Sequence, residues 1–270
     1  MNTLTAYIDG IGLLGPGFTD WPSSRALLTG AAAYQYQATV MPAPASLPPA
    51  ERRRCGPIVK LSLAVGLEAA VMAGLDVARL PTVFAASGGD GKTCHEICEM
   101  LASDDRLISP TRFHNSVHNA AAGYWSIAAG AMATSSVLSA YDASFGAGLL
   151  EALAQVVVDH TPCLLIACDT TYPEPLHQAR PIADEFGIGL ALVPARSAQS
   201  LARISVALSA VTADRMADKM ADSALEQLRR SIPAARSLPL LLSLARRESA
   251  AIVIDYLDNR RLAVEILPCC

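Results

Sequence analysis

The feature that most constrains this chain is a wholly apolar run at residues 163–167 that follows a glycine-rich helical stretch at residues 145–158. A strand with no polar position must be covered on both faces, and one entered from a helix fits a parallel, doubly covered sheet. Further β-rich runs at 82–86, 135–139, 188–193 and 201–211 stand among helical patterns at 57–74, 93–101, 116–129 and 214–230. At 57–74 the residues Val59, Leu63, Leu67, Ala70 and Val71 recur at three- and four-residue steps behind Pro57, a proline suited to a first helical turn. The chain opens with a strand at 4–11 that runs into a turn punctuated by Gly10, Gly12, Gly15 and Gly17. A short helix is expected at 21–29, a proline-broken loop at 41–49 and an apolar segment at 238–244. The end reads as a hairpin, 251–257 and 262–267, joined at Asp258 and Asn259. Alternation of this kind predicts an α/β fold, a mixed sheet covered by helices.

Composition narrows the function classes. Hydrophobic residues make up 52% and charged residues 17% of the 270, which excludes a disordered chain. That length allows one large domain or two fused halves. A net charge of −4 lacks the basic excess that a phosphate backbone or an anionic membrane surface requires, so neither is an expected partner. No apolar run approaches the roughly 18 residues of a membrane span. Asp9 stands in the first apolar stretch with no basic segment ahead of it, so the chain reads as cytoplasmic. Seven cysteines are an odd number in a core-rich chain and read as buried, reduced thiols. Cys94 and Cys98 lie one helical turn apart with no second pair at zinc spacing; no metal and no cofactor is expected.

Three constellations could carry chemistry. Gly91-Lys92-Thr93 after the strand at 82–86 is like a phosphate loop, but Ala86 stands where its first glycine belongs, so a glycine-rich turn with Lys92 in solvent is the simpler reading. His114 and His118 are four apart and could share a helix face as metal ligands; with no third ligand in reach, capping or interface hydrogen bonds suit them better. Ser144, in Asp142-Ala143-Ser144-Phe145-Gly146, precedes a helix as a hydrolase nucleophile would but lacks the first glycine of that elbow.

Taken together, residues 109–124 with Ser126, Ile127 and Gly130 resemble the dimer-interface segment of the β-ketoacyl synthases. Residues 136–152, including Tyr141, Asp142, Ala143, Ser144 and Phe145, are similar to the strand, nucleophile turn and helix of that family. Residues 8–17 resemble its first strand and turn, and 186–193 the closing strand of its first half, so the likeness covers roughly residues 1–195. It implies a thiolase-like layered fold with a family-like half at 1–195 and an abbreviated second half at 196–270 completing the same fold.

In the family a cysteine on that turn is the nucleophile, its thiolate stabilised by the helix N-terminus. The resemblance places Asp142 there, and no histidine follows His177 to supply the family's active-site pair. Catalytic residues are therefore not expected. The pattern resembles the chain-length-factor type of non-catalytic subunit of aryl-polyene and polyketide pathways. It implies a heterodimer with an active β-ketoacyl-ACP synthase and transient contact with an acyl carrier protein. On that likeness Phe113, His114, Ser116, Val117, His118 and Asn119 line the interface and the acyl tunnel. The alternative is a stand-alone thioester acyltransferase or hydrolase using Ser144 or Cys168.

Overall fold

In the computed structural model, which describes residues 3–210 and 216–269, eight strands form one sheet in the order β3-β2-β4-β5-β1-β6-β8-β7. The first stretch supplies β1 (Leu4–Leu14), α1 (Trp21–Thr29), α2 (Pro49–Arg52), α3 (Pro57–Ala73) and β2 (Thr82–Ala85). It is followed by α4 (Gly91–Ala102), α5 (Pro110–Asn115), α6 (Ala120–Ala129), β3 (Ser135–Leu138), α7 (Ser144–Asp159) and β4 (Cys163–Asp169). The chain then makes α8 (Leu176–Ala179), β5 (Phe186–Val193), β6 (Ala202–Ala210), α9 (Ser223–Ser231), α10 (Leu238–Arg246), β7 (Ala250–Asp255) and β8 (Arg260–Pro268). Only β3, β2 and β4 run parallel; every other neighbouring pair is antiparallel, so the parallel sheet expected around residues 163–167 is confined to one side of that strand.

Strand β4 shows why an all-apolar run was needed. Leu164, Ile166 and Cys168 enter a core under α3 and α6, while Cys163, Leu165 and Ala167 enter a second core with α1, α7 and α10. Side chains alternate between faces, and both faces are covered. Gly146, in the first turn of α7, lies against Tyr256 and Leu262 of the β7–β8 hairpin, so α7 also packs on that end of the sheet.

Three expectations need correction. The strand at 4–11 does not stop at its glycines but continues to Leu14, because Gly10 and Gly12 serve packing and not a turn. A methyl on either would overlap the backbone of α3, at the carbonyl oxygens of Ala69 and Val65, and Gly189 of β5 meets the same Val65 oxygen. The helix expected at 116–129 begins only at Ala120, with the separate α5 ahead of it. Buried Asn115 ends α5 by donating to the Arg54 carbonyl and accepting from the Tyr124 hydroxyl. The helix expected at 214–230 is confined to Ser223–Ser231; residues 214 and 215 lie outside the described residues. Its start is fixed by Asp222, whose carboxylate accepts from the amides of Ala224 and Leu225.

The two ends of the sheet are finished differently. Beyond β7, Asp218 donates its amide to the Val253 carbonyl at 2.9 Å and accepts the Val253 amide on Oδ2 at 2.7 Å. Beyond β3, no strand pairs among the described residues.

Candidate functional site

The parallel strands β2, β3 and β4 end side by side, and in open α/β sheets the carboxyl ends of strands are where ligands bind. Asp169, the last residue of β4, is fully buried and ties the region together. It accepts from the Ser87 amide at 2.8 Å, from the Ser87 hydroxyl, and from the Ala234 amide at 2.8 Å. Burial pushes its carboxyl up to about 6, against the opposing pull of those donors and of nearby Arg180.

This arrangement removes the phosphate-loop reading. The Ser87 amide is already taken, the Asp90 carboxylate caps α4 through the Thr93 amide at 3.0 Å, and the Tyr172 side chain fills the space over Gly88 and Gly91. Two carboxylates and a phenol occupy the hollow a phosphate would need, while Lys92 faces solvent.

The turn after β3 has the geometry of an elbow. Tyr141 sits at φ 54°, a left-handed conformation that costs a non-glycine residue roughly 1–2 kcal/mol, at the start of a 3₁₀ turn (Tyr141–Ala143) that leads into α7. Strained strand-to-helix turns of this form present a nucleophile in other enzymes. The strained position is Tyr141, one residue before the Asp142 that the sequence likeness puts there.

Several braces hold it. Ser144 donates its hydroxyl to the Tyr141 carbonyl at 2.7 Å and accepts the Ala140 amide at 3.1 Å. The Arg180 guanidinium stacks on the Tyr141 ring, 3.6 Å from the ring centre, and donates to Asp142 Oδ1 at 2.7 Å. Arg236 reaches Asp142 Oδ2 at 3.2 Å. Hydrogen bonds of about 1 kcal/mol each and a stack of about 0.5–2 kcal/mol are enough to offset the strain. The partly exposed ion pairs add little.

Neither alternative nucleophile is available. Ser144 has no exposed surface, and its hydroxyl is engaged with backbone on both sides. The Cys168 thiol is enclosed on the α3 side of the sheet, where burial raises it far above the ordinary thiol range. The cavity it lines with Ser62, Gly88 and His118 measures about 10 Å³, room for one water at most. A larger cavity of about 520 Å³ lies between residues 15–20, residues 37–42 and α3, and shares no lining residue with the elbow.

The interface stretch joins this region through the glycine-rich turn. Gly89 abuts the backbone of His118, and the Ser139 hydroxyl donates to the Ser87 carbonyl at 3.3 Å. Phe113, His114, Val117, His118 and Asn119 are exposed and Ser116 is half-buried. His114 ends in α5 and His118 lies in the link to α6, so they do not share a helix face; no metal-holding cluster is found among the described residues. Nor is any described helix long and apolar enough to cross a membrane.

Comparison with known proteins decides the family. The sequence pattern of the β-ketoacyl synthase N-terminal domain matches residues 24–252. The chain belongs to this family. No curated protein matches the sequence. Among solved structures, a chain of the ketosynthase ApeO in complex with its chain length factor ApeC, from Xenorhabdus doucetiae, is 23% identical. That alignment covers 97% of this chain and 99% of the other at a TM-score of 0.69. A chain of the ishigamide ketosynthase/chain length factor is 15% identical over 98% and 100% of the two chains, with a TM-score of 0.72. A chain of AntDE:AntF, a type II polyketide synthase acyl-carrier protein in complex with its ketosynthase bound to the hexaketide, is 11% identical over 99% and 100%, at 0.76. At these identities the likeness establishes the fold, which is the thiolase-like fold of the ketosynthases.

Arg180, Arg236, Asp169 and Tyr172 were not visible as site residues in the sequence. Arg180 and Arg236 stand 38 and 94 residues from the Asp142 they contact, with no local motif around them.

Proposed function

We propose that this β-ketoacyl synthase family member is a non-catalytic subunit of the chain-length-factor type. It pairs with an active β-ketoacyl-ACP synthase, meets the acyl carrier protein only through that complex, and shapes the acyl tunnel of a polyene or polyketide synthase. The observation that carries the reading is the elbow: it keeps its strained shape but offers Tyr141 and Asp142 where acyl transfer needs a thiolate, with Asp142 held by two arginines. The open β3 edge supports pairing with another sheet, as do the apolar residues exposed beside it. Phe113, Ser116, Val117 and His118 belong to that contact on this reading, and residues 1–195 and 196–270 act as one body.

Tandem-affinity purification of the chain from its source, followed by incubation with an acyl-carrier thioester, tests this. A ketosynthase should be recovered with it, intact-mass spectrometry should find no acyl adduct on the wild type, and Asp142→Cys alone should restore no condensation. A stable acyl adduct on the wild-type chain would overturn the reading.

A further inference from the structure

The energetics of the elbow raise a question that loss of catalysis leaves open. Without a nucleophile to project, glycine at position 141 would adopt the left-handed conformation without steric cost. The chain instead holds an aromatic residue there, 61% exposed, and fixes it with Arg180 from beyond β4 and with Asp142, Arg236 and Ser144. Arg180 keeps its stacked position although its buried Nε has no hydrogen-bond partner among the described residues. The stacked pair stands directly after the edge strand β3, with Tyr141 two residues beyond Ser139, whose hydroxyl donates to the Ser87 carbonyl of the glycine-rich turn.

We propose that the Tyr141–Arg180 stack is the specificity anchor of the subunit interface, a pre-set contact that the partner ketosynthase receives beside its paired edge strand. The proposal rests on the subunit reading above and names the residues that choose the partner. Tyrosine and arginine dominate the small sets of residues that carry most interface energy. Fixing them before association removes the ordering cost that mobile side chains would impose. Two guanidinium groups face one carboxylate, so the matching surface is an apolar slot for the ring bordered by an acidic or carbonyl acceptor. Arg180 acts as a positioning residue for the ring.

The test uses the ketosynthase recovered with the wild-type chain, measuring affinity by biolayer interferometry and the melting temperature of each free variant. Tyr141→Gly should weaken binding by about 30-fold or more. Its free chain should melt within about 4 °C of the wild type. Tyr141→Phe, which keeps the ring, should bind within about threefold, and Arg180→Lys, which loses the planar stack, should fall about tenfold. Undiminished binding by Tyr141→Gly overturns the anchor while leaving the subunit reading intact. A free Tyr141→Gly chain that melts more than about 8 °C lower also overturns it, by marking the ring as an internal support. Recovery of no ketosynthase with the wild type brings down the subunit reading and the anchor together.

Discussion

The β3 and β7 edges belong to one sheet and differ in almost every respect. At β7 the backbone groups of Val253 are closed by Asp218, which supplies one donor and one acceptor as a further strand would. At β3 four residues have no strand on their outer side among the described residues, and the stretch leading to them exposes Phe113 on α5, Val117 in the link, Ile127 on α6 and Met132 after it, the last at 95%. Unpaired strand edges invite association, and proteins that do not use them block them. Among the described residues this chain blocks one and leaves the other open, and on the proposed subunit reading the difference marks the direction in which a partner's sheet adds on.

Breaking the open edge should have the largest effect. The carbonyls of Thr134 and Leu138 accept from β2, so the alternation of a parallel ladder turns the Val137 amide outward. Val137→Pro removes that donor, and ketosynthase binding should fall by about 100-fold or more while the free chain remains folded. Analytical ultracentrifugation of the mixture and circular dichroism of the free chain read the two quantities. Equal binding by the variant would mean that β3 is not the pairing edge.

Opening the blocked edge is the complementary experiment, with a smaller effect. Asp218→Ala leaves the Val253 amide without its acceptor, at a cost of about 1 kcal/mol, and exposes a second edge. Sedimentation velocity of the free variant should show concentration-dependent self-association beyond that of the wild type.

The smallest effect concerns pH, at the junction behind the open edge. Because burial raises the Asp169 carboxyl above its unfolded value, the folded chain takes up a proton more readily than the unfolded one. That stabilising contribution is complete below the ordinary aspartate range and is lost as pH rises through about 6. The stability advantage of wild type over Asp169→Asn, measured by urea unfolding, should therefore grow between pH 7.5 and pH 5. A constant difference would show that the carboxyl does not titrate there.

What could be read from the sequence follows the range over which each signal acts. Strand β4 and the terminal hairpin were legible because an unbroken apolar run and a pair of turn residues are local signals. Gly10 and Gly12 were misread as a turn because the helix they accommodate lies more than fifty residues away. The break between α5 and α6 was hidden because Asn115 is held by Arg54 and Tyr124 and not by a proline or glycine of its own. At the site, the family likeness located the turn, but its strained residue is set by backbone geometry. The arginines that hold the turn arrive from other elements.

The glycine seam at Gly10, Gly12 and Gly189 has a mechanical meaning. Where α3 crosses β1 and β5 the contact is main chain on main chain, with no rotamer to turn and no side chain to compress. A load taken up at β3 passes through β2 and β4 to this keel and finds little compliance there. On the proposed subunit reading, the chain meets a ketosynthase as a stiff template, and whatever yields on docking yields in the ketosynthase or in the loops around the seam.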